Sequence, residues 1–377
     1  MKVVIIMAAW NEAENIYKMI QELVGVEFPK IKADMQLLVV DNYSKDKTAE
    51  IVAEASKKYK NVHIIQQGDK SGLGWAYIRG MQYAMTKLGA DAVMEMDADF
   101  QHPPRFVKDM VAAFLSGADY VIGSRYIKGG SIPKEWAFSR KFVSYFGNLF
   151  IRLALLKPKI HDLTTGFRLT RVKGVLDQID LEHLMEPTRF AYKVDLLYQS
   201  IKNAKKVVEV PLEFASRTKE KSKFNPKEMI STFKVAIILG IKDKQKIIKF
   251  GTVGFAGYLV NALTLLLFTR LNFPSWGAWG LSTELAIINN FVFNNIWTFK
   301  DQEIKGLRGL VSKFLQFNLT STGGLLIQVG VGMVTDYLIG PQYRQIVLPL
   351  TVVFLVLPYN YLMYTLVIWR KKAPSQK

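Results

Sequence analysis

The chain has 377 residues, enough for two domains, with a formal net charge of +18 and half of its residues hydrophobic. It contains no cysteine, which excludes disulfides, a cysteine nucleophile and a cysteine-based zinc site, and leaves the redox compartment open. The excess of positive charge suits nucleic acid or an anionic membrane surface; because apolar residues gather in long blocks after Ile247, the membrane is the expected partner and nucleic acid is not.

In chain order, short apolar runs at residues 3–7, 36–40, 62–66, 92–96 and 120–122 read as strands, and residues 15–24, 48–59, 75–88 and 106–115 carry helical periodicity. Strands alternating with helices imply an α/β domain with a doubly wound, mostly parallel sheet. The first run follows only Lys2 and gives way at once to Asn11 and Glu12, which reads as a first strand and not as a signal peptide. Ligands of such sheets bind beyond the carboxyl ends of the strands. The polar residues there are Asn11 and Glu12 after the first strand, Asp41 and Asn42 after the second, and Asp97 and Asp99 after the fourth.

Asp97 and Asp99 flank the single small residue Ala98, with Gln101 close behind. Oxygen donors so arranged suit a hard cation, Mg²⁺ or Mn²⁺, that keeps positions open for the oxygens of a nucleotide diphosphate. A lone Asp-x-Asp is more often an acidic loop capping the helix that begins near Pro104, and it is the remaining motifs that reverse this. His102 lies beside this turn, and a structural role is expected for it.

Between residues 135 and 157 apolar residues from Phe138 to Leu153 recur at i, i+4, i+7 and i+8, with Arg140, Lys141 and Arg152 among them. That is a basic amphipathic helix able to lie among lipid headgroups, and residues 225–245 offer a second. Four apolar stretches follow at 250–268, 279–297, 314–339 and 346–369, each near the length of about 20 residues that crosses a bilayer core. The third carries Asn318, Thr320, Ser321, Gly323 and Gly324, small or polar residues suited to helix–helix packing. Lysines and arginines crowd before the first stretch, between the second and third, and after the fourth, whereas the opposite turns offer only Arg270 and Arg344. By the positive-inside rule both termini, and with them the N-terminal domain, are expected in the cytoplasm. The expected layout is thus a domain over 1–224, an interfacial helix over 225–245 and a membrane domain over 246–377.

Taken together, the motifs resemble those of the polyprenyl-phosphate glycosyltransferases, the dolichol-phosphate mannose synthases in particular. Ala9-Trp10-Asn11-Glu12 through Ile16 resembles their opening stretch, Val39-Val40-Asp41-Asn42 through Asp46 their acidic loop, and Asp97-Ala98-Asp99-Phe100-Gln101-His102 their metal motif. Gly123-Ser124-Arg125-Tyr126, Thr165-Gly166-Phe167-Arg168, and Arg217 with Lys221-Ser222-Lys223 follow in order. The C-terminal half resembles GtrA-like membrane domains through Lys249-Phe250 and through Asn289-Asn290-Phe291 with Asn294 and Trp297-Thr298-Phe299. Three positions depart from the pattern: Ala8 stands where the family has proline, Trp10 where it has tyrosine, and Asn42 where it has a second acid.

The resemblance implies a GT-A-type fold and inverting, metal-dependent transfer of mannose from GDP-mannose to dolichyl or polyprenyl phosphate. It implies a nucleotide-sugar site of Ala8, Trp10, Glu12, Val40, Asp41, Asn42, Asp97, Ala98, Asp99, Gln101, Arg217 and Lys223, with Mg²⁺ or Mn²⁺ on Asp97, Asp99 and Gln101. Asp99, Arg125, Arg140 and Arg217 would carry catalysis, and Arg125, Arg140 and Ser144 would meet the lipid phosphate. Glucose transfer from UDP-glucose, or a glycolipid carrier that only binds nucleotide, are the alternatives. A processive polysaccharide synthase is disfavoured, since no Gln-x-x-Arg-Trp motif is present.

Overall fold

The computed structural model describes residues 1–68, 72–216 and 226–370. Contacts divide the chain into two units, Met1–Gly240 and Ile241–Lys377.

The first unit is built on seven strands: β1 (Lys2–Ala9), β2 (Asp34–Asp41), β3 (Val62–Gln66), β4 (Ala92–Glu95), β5 (Tyr120–Ser124), β6 (Arg168–Arg171) and β7 (Val207–Pro211). They lie in the order β3-β2-β1-β4-β6-β5-β7. All pair in parallel except β6, which runs antiparallel to both β4 and β5. The central strands are apolar on both faces. Val3, Ile5 and Met7 enter one core cluster while Val4 and Ile6 enter another, the period of two that a doubly covered strand requires. Each such side chain contributes roughly 1.5–3 kcal/mol by leaving water. The helices α1 (Ala13–Glu22), α2 (Thr48–Lys58), α3 (Leu73–Thr86) and α4 (Val107–Leu115) link the strands as the periodicity predicts, with ends within about two residues of expectation. The mostly parallel sheet is thus a mixed one of GT-A type. Its reversed strand β6, the helix α6 (Tyr192–Asn203) and β7 are elements that the sequence reading did not mark.

After β1 the chain builds outward through β2 and β3, then returns to place β4 on the other side of β1. This reversal opens a crevice at the carboxyl ends of β1, β2 and β4.

The amphipathic helix is α5 (Phe138–Ala154). Its Ile151 is buried in a cluster with Val235, Ala236 and Leu239 of the long helix α7 (Pro226–Arg270), and Phe150 meets Phe233 at a centroid distance of 4.6 Å. Phe138, Phe142, Tyr145, Phe146 and Leu153 remain exposed. The stretch expected to be a separate interfacial helix at 225–245 is continuous with the first membrane stretch in α7, because no glycine-rich or proline break separates them.

The second unit continues with α8 (Ser275–Phe293) and α9 (Leu307–Leu338). In the last helical segment a π-helical turn at Val352–Val356 joins α10 (Arg344–Thr351) to α11 (Leu357–Met363), and a second follows α11 at Tyr364–Ile368. Among the described residues three helices are long and apolar enough to cross a membrane: Lys227–Arg270, Leu307–Leu338 and Pro349–Ile368. The second of the four expected stretches forms a helix but falls outside these three, because Glu284, Asn289 and Asn290 dilute its apolar character. The small residues of α9 act as expected: a Cβ on Gly323 would overlap Tyr359, and Ser321 and Tyr364 share a hydrogen bond of 2.6 Å. Phe250, Phe291, Phe299, Phe317, Tyr364 and Trp369 gather in one aromatic cluster that joins α7, α8, α9 and the last helical segment. Lys249 lies over Trp297 and Lys313 donates to the Val367 carbonyl, so basic residues from two of the three positive stretches lie beside this cluster.

Candidate active site

One wall of the crevice is made where the loops after β1 and β2 lock together. Asn11 takes a φ of 56°, a left-handed conformation that asparagine tolerates better than most residues. Its side-chain oxygen accepts from the Lys45 N–H at 2.8 Å, its own N–H donates to Ser44 Oγ at 2.9 Å, and the Glu12 N–H donates to Thr48 Oγ1 at 2.8 Å. Glu12 is held in turn by Asn15, whose Nδ2 donates to it at 3.0 Å. Asp41 and Asn42 are buried at the base of this wall. Asp41 Oδ2 accepts from the Ser44 N–H, whereas Asp41 Oδ1 and Asn42 Oδ1 have no hydrogen-bond partner among the described residues. Unsatisfied buried acceptors are costly in a native fold; neither residue is among those that line the crevice cavity. The Val40 side chain, by contrast, points into the core beneath α3, so any contact it makes with a nucleotide runs through its backbone.

A cavity of about 870 Å³ occupies the crevice, within the usual range for small-molecule sites. It is lined by Ala8, Trp10 and Glu12 from one side and by Asp97, Ala98, Asp99 and Gln101 from the other. Arg125, following β5, and Arg140 on α5 border it too. Nine of the residues marked by the motifs, from four separate stretches of sequence, therefore border one cavity.

The turn after β4 is held from beneath. His102 is buried and its Nδ1 accepts from the Asp97 N–H at 3.0 Å, while its ring packs on Phe167 and Phe214. Burial pushes its pKa down to about 4, against a smaller opposing pull from Asp97, so it is a neutral acceptor that props the turn, the structural role expected. The Gln101 N–H donates to Asp99 Oδ1 at 3.1 Å. Asp97 Oδ1 accepts from the Tyr77 hydroxyl at 3.1 Å and lies 3.7 Å from the Lys193 ammonium.

Arg125 is the most strongly held cation of the site. Its Nε and one Nη2 hydrogen grip the two oxygens of Asp162 at 2.7 and 2.9 Å, and Nη2 also donates to Thr164 Oγ1 at 2.6 Å. Asp162 is fully buried and also accepts the Arg125 N–H at 3.0 Å. Burial opposes the charge on each, but their pairing outweighs it, so the arginine pKa is raised and the aspartate pKa lowered. With that edge committed, the Nη1 donors are the ones that no described residue engages. Arg140 stacks over Trp136 at 3.7 Å.

Another cavity, of about 350 Å³, lies between α5 and the start of α7. Ser144, Asn148 and Ile151 line it from α5, and Met229 and Phe233 from α7. Ser144 shares a hydrogen bond of 2.6 Å with Tyr126. Arg125, Thr164 and Phe190 border both cavities. Arg217 and Lys223 lie outside the described residues, as does the basic stretch around them. Asp162 and Lys193 were not singled out from sequence; the acid between His161 and Leu163 and the lysine after Tyr192 carry no spacing signal of their own.

Residues 4–177 match the model of glycosyl transferase family 2, and residues 249–369 match the GtrA/DPMS transmembrane domain. The chain is 34% identical over 337 residues to dolichol-phosphate mannosyltransferase of Pyrococcus furiosus, covering 87% of this chain and 88% of that protein. It is 34% identical over 237 residues to polyprenol monophosphomannose synthase of Mycolicibacterium smegmatis, covering 62% and 86%. The undecaprenyl-phosphate mannosyltransferase of Micrococcus luteus is 32% identical over 225 residues, covering 60% and 88%. The chain belongs to glycosyl transferase family 2, as a glycosyltransferase that carries a GtrA/DPMS transmembrane domain.

Proposed function

We propose that the chain transfers mannose from GDP-mannose to a dolichyl or polyprenyl phosphate at the cytoplasmic face of a membrane, with inversion at the anomeric carbon. The observation that carries this reading is the position of Arg125: a guanidinium fixed along one edge by Asp162, bordering both the cavity of the Asp-Ala-Asp turn and the cavity between α5 and α7. A cation so placed suits a reaction that must bring a nucleotide diphosphate and a lipid phosphate close together. The names of the three relatives, all mannose transferases of polyprenol type, support the same donor sugar and acceptor class.

The acceptor needs no protein base. The second pKa of a phosphate monoester is about 6, so near neutrality it is largely a dianion. One of its oxygens bonds to the anomeric carbon as the bond to the nucleotide diphosphate breaks, and the electron pair leaves with GDP. Displacement from the opposite face converts an α-linked donor to a β-linked product. Arg125 and Arg140 hold the phosphates through charge-assisted hydrogen bonds, with Ser144 adding a contact on the lipid side, and Arg217 and Lys223 are assigned to the donor. Asp41 and Asn42 offer acceptors to the N–H groups of a base.

The oxygen donors Asp99 and Gln101, with Asp97 beside them, line the crevice cavity and fit Mg²⁺ or Mn²⁺ as an ion that shares its ligands with a diphosphate. Such an ion would neutralise charge on the leaving group.

The test compares radiolabelled mannose from GDP-mannose with labelled glucose from UDP-glucose, scored in organic-extractable lipid with and without Mn²⁺. The reading expects mannose label that depends on the metal and is lost in Asp99→Ala. Glucose label would shift the donor assignment; no label from either donor would favour a carrier.

A further inference from the structure

We propose that Lys193 and Asp97 form a paired subsite that reads one hydroxyl of the hexose being transferred; this rests on the hexose-transfer reading and deepens it. Lys193 is 1% exposed, yet it borders the crevice cavity. It lies in the first turn of α6, where the partial positive charge of the helix N-terminus adds to the cost of an ammonium already taken out of water. A lysine in so unfavourable a place calls for a compensating role.

Its surroundings are arranged around the ammonium. Nζ lies 4.9 Å from the Tyr77 ring centroid and 5.3 Å from that of Phe190, two cation–π contacts. A Cβ on Gly166 would overlap Nζ. Gly166 has no left-handed φ, so the demand for glycine here is one of space. Arg168, fully buried, donates to the backbone carbonyls of Lys193 and Leu163 at 2.5 and 3.1 Å and fixes the start of α6 against the loop that carries Gly166.

The spacing to Asp97 supplies the chemistry. At 3.7 Å from Oδ1 the ammonium is too far for the short charge-assisted bond of about 2.7–2.9 Å that an unhindered pair would make. A sugar hydroxyl is both donor and acceptor. Placed against the pair, it donates to the carboxylate and accepts from the ammonium, and so bridges the two charges. The position follows from the diphosphate site. Asp99 and Gln101 are proposed to hold the metal and diphosphate, and Asp97 is two residues away on the same turn, so a hexose joined to that diphosphate reaches the pair.

The experiment uses the full chain in proteoliposomes with GDP-mannose and its 2-, 3-, 4- and 6-deoxy analogues, together with GDP binding as a measure of the intact nucleotide site. The parent is expected to disfavour one analogue by about 100-fold or more in kcat/KM, since a site built to hydrogen-bond a hydroxyl rejects a ligand without it. In Lys193→Met that penalty falls to within a few-fold while GDP binding is kept. Gly166→Ala, which displaces the ammonium without removing its charge, is expected to lose the same discrimination. If both variants slow every donor equally and keep the parent's preference among analogues, Lys193 is structural and the proposal is overturned. A parent that labels no lipid from any hexose donor defeats the transferase reading itself, a different outcome.

Discussion

At the residue scale, the geometry makes Asp162 the support of the site's central cation. Replacing it by asparagine keeps the volume and removes the charge that Arg125 faces. Breaking a buried pair typically costs about 3–5 kcal/mol. Asp162→Asn is therefore expected to lower the midpoint of chemical denaturation and to cut transfer at least tenfold, with a larger fall in kcat than in donor affinity. Unchanged stability and rate would show that Arg125 is oriented by other groups. His102 gives a pH prediction. Its pKa is about 4 in the folded state against 6.5 for the free side chain, so between these values the unfolded chain takes up a proton that the folded one refuses. Stability contributed by the neutral ring is complete above pH 6.5 and falls as pH drops toward 4, by up to about 3 kcal/mol. Melting curves of parent and His102→Asn should therefore converge in acid, and parallel curves would contradict it. Asp97 and Asp99 stood out because a short spacing after a strand encodes their chemistry, and Arg125 and Arg140, which border the same cavity, were marked only through the family resemblance. Lys193 and Asp162 were not, because their meaning comes from partners 96 and 37 positions away, Asp97 and Arg125.

At the element scale, α5 was readable from its period, but which of its apolar residues stay outside was not. A helix packed on a core and a helix lying on a membrane share one pattern. The structure divides the face: Ile151 enters the core with α7, while Phe138, Phe142, Tyr145 and Phe146 stay exposed. In the proposed account those rings enter the headgroup layer. The double substitution Phe142→Ser and Phe146→Ser should leave thermal stability within about 0.5 kcal/mol per site, as exposed positions usually do. It should lower transfer to a long-chain acceptor in vesicles several-fold while sparing transfer to a short, water-soluble prenyl phosphate. Equal losses with both acceptors would place the rings in the catalytic fold instead of the bilayer. The reversed strand β6 escaped the sequence reading for another reason: Arg168–Arg171 is four residues long with arginine at both ends, a poor strand by composition. Its hydrogen bonds to β4 and β5, and the burial of Arg168 against backbone carbonyls, override that composition.

At the scale of the whole molecule, the division into a catalytic unit and a membrane unit was visible in the distribution of apolar residues. The pass count was less so, because α8 carries Glu284, Asn289 and Asn290 yet joins the aromatic cluster through Phe291. The lack of cysteine makes topology directly measurable. In sealed vesicles, Lys305→Cys should react with an impermeant thiol reagent from the cytoplasmic side and Ser275→Cys only from the opposite side. Labelling of both from one side would show that α8 does not span.

The central claim is that the phosphate oxygen of an isoprenoid displaces a nucleotide diphosphate from the hexose. The most direct measurement is the chemical form of the extracted product, by mass spectrometry and NMR of its anomeric proton. A β-linked hexose joined to the lipid through a single phosphate is the expected product, absent in Asp99→Ala. A diphosphate linkage, or an α-linked sugar, would contradict it.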